Sequence, residues 1–187
     1  ISKKNASVWI AQREGRAKDG NDRTQVGLLT MLGLSGKKDL VQHFQKLNIV
    51  PVAISYEYDP CGLLKTQEYL NKLANPDFKK NFQQDVEYML LGIKGQKGRV
   101  HFHFGEVLND GLEALKVEDN SKKQLETLAE MIDKSIHLHY ELRPVNYIAY
   151  DLLNESRTYI QHYSLEELEW HTHFFEDQIK LLKNDAD

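Results

Sequence analysis

The first apolar run of the chain covers positions 8–11. It is followed by charged residues and a glycine, which are residue types that suit anion binding. Arginine and lysine supply positive charge, and the planar guanidinium of arginine can hold two oxygens of one phosphate. A glycine among them lets the backbone approach a ligand closely. The pattern therefore predicts a site for a phosphorylated ligand, and its residues are Arg13, Glu14, Gly15, Arg16 and Lys18.

Two elements must position this loop. Residues 7–13 are predicted to form a strand, because the apolar run favours β structure and is too short for a buried helix. The turn residues 19–22 follow, and a helix is predicted over 26–34 with Thr24 as its N-cap. Strand ends and helix N-termini converge where α/β proteins bind anions. The loop thus occupies a typical phosphate-binding position.

Two further strands are predicted along the chain. Apolar residues alternate with small or polar ones over 51–58, and Pro51 is placed first because it cannot donate a ladder hydrogen bond. Residues 99–107 alternate as well, with Val100, Phe102 and Phe104 on one side and histidines on the other. Together with strand 7–13, these segments predict a mixed sheet.

Helices account for most of the remaining chain. Capping boxes are predicted at Ser121 with Gln124 and at Ser164 with Glu167, and Pro144 is predicted to end the helix that starts near 121. The predicted helices cover 38–47, 63–73, 78–93, 121–141, 146–153 and the segment after 164. Helix 78–93 has the clearest apolar stripe, formed by Phe78, Phe82, Val86, Met89, Leu90 and Ile93.

Composition narrows the class of protein. The chain has 187 residues, 41% hydrophobic and 28% charged, which is typical of one folded domain. Its net charge of −4 disfavours a nucleic-acid-binding domain, as does the lack of basic residues interleaved with aromatic ones. The opening segment is nevertheless basic and the last stretch acidic. This asymmetry fits either a phosphate site on an acidic body or two solvated faces.

Cysteine content and hydropathy bear on the compartment. Cys61 is the single cysteine, so an intrachain disulfide is impossible and a reducing compartment is expected. It lies in a predicted turn without a histidine partner, and we interpret it as a packing residue rather than a nucleophile. The sequence contains neither an apolar run long enough to span a membrane nor a signal-peptide pattern.

Four sequence landmarks resemble the glycerolipid acyltransferases, which acylate glycerol 3-phosphate or 1-acylglycerol 3-phosphate. The first is the apolar strand that runs into Glu14-Gly15 and its cations, and the second is Pro51 at the start of a strand. The third is Phe104-Gly105-Glu106 at a strand end, and the fourth is the closing segment 144–153. They follow one another in the order of that family.

The resemblance implies a fold and a site. The expected fold is α/β, with a central mixed β-sheet flanked by helices and incomplete at its N-terminus. Residues 1–160 would form the C-terminal part of an acyltransferase domain, and 161–187 a helix packed on it. Arg16 and Lys18 would neutralise the acceptor phosphate, with Glu14 ordering the loop and Gly15 admitting the ligand. Arg13 and Pro51 complete the expected substrate-binding set.

The resemblance also implies an activity. The complete protein would transfer a fatty acyl group from acyl-CoA or acyl carrier protein, in phospholipid biosynthesis. No metal or other cofactor is implied, and neither is nucleic acid. The protein would be cytoplasmic and peripheral on the membrane, since one substrate is a lipid.

The catalytic base of the family is not found in this chain. In that family a His and an Asp separated by four residues precede the Glu-Gly motif. Here only the pairs His101/Glu106, His162/Glu167 and His171/Glu176 have this spacing with an acid, and all follow Glu14. With eight histidines such pairs arise by chance. We therefore expect the catalytic pair upstream of Ile1, and this chain alone to be inactive.

Two alternatives stay open at this point. The first is a noncatalytic phosphate- or lipid-binding module of the same fold. The second is a nucleic-acid or protein-interaction domain that uses the basic N-terminal segment. A metal site at the His-x-His pairs, such as His101 with His103, is disfavoured, because no cysteine cluster or carboxylate set accompanies them.

Overall fold

The structure, a computed structural model, describes residues 6–12, 21, 23–36, 39–118 and 120–184. The chain divides into two compact units, Ile1–Ile54 with Phe102–Tyr140 and Ser55–His101 with Glu141–Asp187. We call them the first and second units. Its helices and strands are α1 Val26–Gly33, α2 Leu40–Leu47, β1 Val52–Tyr56, α3 Gly62–Ala74, α4 Phe82–Lys94, β2 Val100–Phe104, α5 Asn109–Leu112, α6 Ser121–Leu138, α7 Pro144–Leu153 and α8 Leu165–Asn184.

The described chain is a mixed α/β structure that is mostly helical. Strands β1 and β2 confirm two of the predicted strands, and they pair only with each other. Residues 6–12 contain no strand, and Val8, Trp9 and Ile10 are exposed there. The predicted strand 7–13 is therefore wrong over its described part. A central sheet flanked by helices is not shown, because the sheet has only two strands.

The two strands are antiparallel, and their register follows from the hydrogen bonds at their ends. The amide of Gly105 donates to the carbonyl of Pro51 at 2.9 Å, and the amide of Glu57 donates to the carbonyl of Arg99 at 2.9 Å. This register places apolar residues opposite one another on one face, at the positions where side chains of facing strands lie closest. The pairs are Val52 with Phe104, Ile54 with Phe102, and Tyr56 with Val100.

The first unit has a helical core. Its fully buried side chains include Phe44 of α2, Leu112 of α5 and Leu128 of α6. Helix α6 contributes most to this core, because its apolar residues recur at helical spacing, and the buried ones are Leu125, Leu128, Ala129 and Ile132. Helix α2 begins at Asp39, whose carboxylate accepts a hydrogen bond from the amide of Gln42 at 2.8 Å.

The second unit contains a buried carboxylate that joins α7 to the chain after it. Asp151 accepts hydrogen bonds from Ser156 Oγ at 2.6 Å, from the amide of Tyr159 at 3.0 Å and from Tyr163 Oη at 2.8 Å. Burial tends to raise the pKa of Asp151, but these donors outweigh it and the pKa is lowered. The carboxylate therefore fixes the turn that leads from α7 to α8.

Helix boundaries confirm some predicted caps and correct others. The capping box of Ser164 with Glu167 is present at the start of α8. Helix α6 is capped by Asn120 instead of Ser121, and Pro144 is the first residue of α7 instead of the end of α6. Proline suits that first position because it has no backbone N–H, and an N–H at that position would have no partner within the helix.

The described helices were compared with the length and hydropathy of membrane-spanning helices. Within the described ranges, no helix combines the length and the apolar character needed to cross a bilayer. The expectation of a domain over 1–160 with a packed helix at 161–187 stays a prediction.

We expect Asp151→Ala to lower the melting temperature by about 5 °C or more, because the change leaves Tyr163 Oη and the Tyr159 amide without their acceptor. Thermal unfolding followed by circular dichroism measures this. Asp177→Ala is the matched control, since Asp177 is exposed and pairs only with Lys180 on the same helix. Equal shifts in the two variants would contradict the structural role of Asp151.

Candidate functional site

The predicted phosphate-binding loop lies between two described positions that are tied together. Residues 13–20 and 22 lie outside the described residues, and so do all five predicted loop residues, Arg13, Glu14, Gly15, Arg16 and Lys18. The amide of Gln25, just after the loop, donates to the carbonyl of Gln12, just before it, at 2.9 Å. The two described residues that flank the loop, Gln12 and Gln25, are therefore adjacent in the first unit.

A buried carboxylate anchors the end of the loop to α6. Thr24 and Asp133 are each only 7% exposed. Both the amide and Oγ1 of Thr24 donate to Asp133 Oδ1, at 2.8 and 2.7 Å. Hydrogen bonds to a charged acceptor are short and strong. The prediction that Thr24 caps α1 is wrong, because the N-cap is Gln25 and the threonine side chain is used by Asp133.

An open depression of about 370 Å³ lies beside this anchor. Its lining consists of two cations, two acids, a histidine and a leucine, which are Arg23, Lys134, Glu130, Asp133, His137 and Leu138. Neither Arg23 nor Lys134 forms an ion pair within the part of the chain that the structure describes. The Asp133 carboxylate is engaged by Thr24, and an anion could still contact the two cations on the side away from Glu130.

The second and third landmarks contact each other, and the third lies close to α6. The amide of Gly105 donates to the carbonyl of Pro51, and a Cβ at position 105 would lie 2.9 Å from Ser135 Oγ and 3.1 Å from the Pro51 oxygen. Only glycine therefore allows β2 to end this close to α6. Ser135 follows Lys134 in the sequence, so α6 contacts both Thr24 and Gly105 within one turn.

Pro51 is buried and does not face an open surface that a substrate could reach. It is buried at the start of β1, its carbonyl is engaged by Gly105, and it does not line the depression. Its assignment to the substrate-binding set stays a prediction.

The residues of α6 at this site were not identified from the sequence. Asp133, Lys134 and His137 lie inside a predicted helix whose apolar stripe includes Leu128 and Ile132. An acid next to that stripe is unusual, because a buried carboxylate needs donors from elsewhere in the chain. That single signal marks Asp133 as a residue with a tertiary partner, although it does not reveal which one.

A second cluster of titratable groups lies in the second unit. His171 of α8 is buried, and its Nδ1 lies 3.3 Å from Tyr58 Oη. Burial lowers the pKa of His171, so its neutral form is favoured. Burial, with the nearby Glu57 carboxylate, raises the pKa of Tyr58 to about 12.

Arg99 completes this cluster by holding Glu57. Its Nη2 donates to Glu57 Oε1 at 2.6 Å, and its Nε donates to Oε2 at 3.1 Å. The hydrogen bond from Arg99 is the main reason that the pKa of Glu57 is lowered. Tyr58 also packs against Phe174, with ring centroids 5.0 Å apart. We interpret the cluster as packing within the second unit, since the acids and bases are already paired or buried.

The other histidines and Cys61 lie apart from one another or in pairs in the described part of the chain. No three His, Cys, Asp or Glu side chains of the described residues are arranged to hold a metal ion. His103 stacks on His139 with ring centroids 3.7 Å apart. Cys61 is buried and its Sγ lies 3.5 Å from the carbonyl of Tyr88, as expected for a packing residue.

Comparison with known proteins identified no relative. Neither the protein-family models, nor the curated proteins, nor the solved structures gave a match to this chain.

We expect Thr24→Val to reduce the free energy of unfolding by about 1–2 kcal/mol, because a buried carboxylate loses one of two hydrogen bonds from that residue. Urea denaturation measures the change. Thr30→Val is the matched control, since Thr30 Oγ1 binds only the carbonyl of Val26 within α1 and is exposed. If both variants lose the same stability, the Thr24–Asp133 contact is not the anchor described here.

The stability of the folded chain should depend on pH because of His171. Its pKa is lower in the folded chain than in the unfolded one, so the unfolded chain binds the extra proton first as the pH falls below about 6.5. Stability should therefore decrease between pH 7.5 and 5.5, and less so in His171→Gln. Urea denaturation at both pH values measures this, with His173→Gln, exposed on the same helix, as the control. A wild-type pH profile in His171→Gln would refute the assignment.

Proposed function

We propose that this chain is the acceptor-binding part of a glycerolipid acyltransferase. The complete protein would transfer a fatty acyl group from acyl-CoA or acyl carrier protein to glycerol 3-phosphate or 1-acylglycerol 3-phosphate, in phospholipid biosynthesis. It would act in the cytoplasm at a membrane surface. The chain would supply the site for the acceptor phosphate, and it contains no His-x-x-x-x-Asp sequence to serve as the base.

One observation carries the proposal. Gln12 and Gln25, which flank the segment with the Glu14-Gly15 motif, are hydrogen-bonded to each other, and Arg23 lines the depression together with Lys134 and His137. A phosphate held by Arg16 and Lys18 would have further cations close to the end of that loop. The Thr24–Asp133 anchor supports this role, since a rigidly held site loses less entropy when it binds a ligand.

The arrangement of the other landmarks supports the same interpretation. Pro51 and Gly105, which are far apart in sequence, form a direct hydrogen bond, and Gly105 approaches α6 at Ser135. Two of the landmarks that the resemblance singled out are thus adjacent in the first unit, whereas Glu14 and Gly15 of another lie outside the described residues. The contact between Pro51 and Gly105 supports the proposal without establishing the position of the loop.

A noncatalytic phosphate- or lipid-binding module remains the second candidate. The gene sequence upstream of Ile1 distinguishes the two, because a His-x-x-x-x-Asp pair there would favour the transferase, whereas a module needs only the acceptor site. An acyl-CoA that alters the Kd for glycerol 3-phosphate would favour the transferase, since donor and acceptor must meet at one site for transfer. Independent binding would favour the module.

We expect the chain to bind glycerol 3-phosphate more tightly than glycerol, as measured by isothermal titration calorimetry. The double variants Arg16→Ala with Lys18→Ala and Arg23→Ala with Lys134→Ala should each weaken this binding about tenfold or more, because each loses two charge-assisted contacts. Inorganic phosphate as a second ligand tests whether the phosphate alone is recognised.

Lys122→Ala with Arg157→Ala is the matched control, because it removes the same charge at exposed positions that do not line the depression. Equal affinity for glycerol and glycerol 3-phosphate would overturn the proposal, and so would unchanged affinity in both double variants. The isolated chain should also show no acyl transfer. Robust turnover would mean that the base lies within it.

A further inference from the structure

Helix α4 exposes the apolar stripe that its sequence predicts. Phe82 is 82% exposed and Ile93 is 74% exposed, and Met89 and Leu90 lie between them on the same side, also exposed. The spacing of these residues gives one continuous apolar face about three turns long. Such a face normally packs on the core of a protein, whereas this one points to the surroundings.

Contacts on the opposite side of α4 explain why the stripe points outward. Tyr88 is buried there, and its hydroxyl donates to the carbonyl of Leu64. A Cβ at Gly92 would lie 3.7 Å from Cys61 Sγ, so this side of the helix packs closely against the start of α3. These contacts fix the rotation of α4 within the second unit. The outward direction of the stripe is therefore a property of the folded unit.

Positive charge accompanies the stripe. Between Lys79 and Arg99 the chain has five basic and two acidic residues, although its net charge as a whole is −4. Lys79 precedes the helix and Lys94 ends it, both are exposed, and neither forms an ion pair with another described residue. The two acids, Asp85 and Glu87, lie within the helix, so the positive charge is at its two ends. Basic residues next to an apolar helix face favour contact with an anionic membrane surface.

We propose that α4 lies in the surface of an anionic lipid bilayer, with Phe82, Met89, Leu90 and Ile93 entering the acyl region. Lys79 and Lys94 would contact lipid phosphates on either side. The proposal goes beyond the acyltransferase assignment and does not depend on it. It names the surface of the second unit that meets the lipid.

Charge disfavours a second copy of the chain as the occupant. In an antiparallel pair of α4 helices, Lys79 of one copy would lie near Lys94 of the other, and in a parallel pair identical lysines would meet. Like charges placed opposite one another weaken an interface. Anionic headgroups instead match the lysines at both ends of the stripe.

The test is cosedimentation of the full chain with vesicles of equal parts phosphatidylglycerol and phosphatidylcholine. We expect wild-type protein to bind these vesicles, to bind pure phosphatidylcholine vesicles more weakly, and to be released by 0.5 M salt, a concentration of roughly three times physiological ionic strength. Phe82→Ser with Ile93→Ser should reduce binding about tenfold or more, since each change removes a buried apolar side chain.

The control variant is Val117→Ser with Leu153→Ser. These two positions are 84% and 85% exposed and lie outside the stripe, so vesicle binding should match wild type. Circular dichroism checks that both double variants are folded. A nitrobenzoxadiazole label attached in Phe82→Cys should become more fluorescent on vesicles, because Cys61 is buried and labels poorly.

Three results would overturn the proposal. The first is equal loss of binding in the control variant, and the second is the absence of wild-type binding to anionic vesicles. The third is a concentration-dependent dimer that Phe82→Ser with Ile93→Ser abolishes, which would make the stripe a subunit interface. Arg23→Ala with Lys134→Ala should bind vesicles like wild type, so that failure of the phosphate site and failure of the α4 surface are distinguishable.

Discussion

The carboxylate of Asp133 is the interaction on which the first unit depends. A carboxylate that is almost fully buried must be compensated by donors, because burying an unpaired charge is far costlier than burying an apolar group. Thr24 supplies two donors from a single residue. This pairing fixes the chain where the charged loop ends, and it leaves Lys134 and His137, which follow on the same helix, beside Arg23. The position of the cations is thus a consequence of satisfying one acid.

The two-stranded sheet imposes a second constraint. Two strands alone are marginally stable in water, and support must come from what packs on their faces. One face has small buried residues, Ala53 and Ser55. The other has the pairs Val52 with Phe104 and Ile54 with Phe102, and both phenylalanines are exposed. An exposed apolar face of this kind marks a surface suited to further contacts. It also explains why alternation in the sequence predicted strands correctly, since both strands have one uniformly apolar side.

Local signals in the sequence predicted most elements but not their partners. The capping box of Ser164 with Glu167 was predicted correctly, because its whole mechanism lies within four residues. Thr24 has the residue type and position of an N-cap, yet its side chain binds a carboxylate 109 residues away. No local pattern encodes a partner at that separation. The apolar run 8–10 was likewise predicted as a strand, but a strand requires a neighbouring strand, which composition cannot supply.

Helices α4 and α6 show where periodicity stops being informative. Both have a continuous apolar stripe, and the stripe of α6 is buried in the core of the first unit. In α4 the buried side is instead the one that carries Tyr88 and Gly92, because Tyr88 Oη donates to the carbonyl of Leu64 and Gly92 lies next to Cys61. The spacing of apolar residues predicts that a helix has an apolar stripe. Contacts on the other faces of the helix determine whether that stripe points to the core or to the surroundings. Residues such as Phe82 and Ile93 gain nothing from exposure to water. Burying them in a less polar surrounding would therefore be favourable, as the proposed position of α4 in a lipid surface requires.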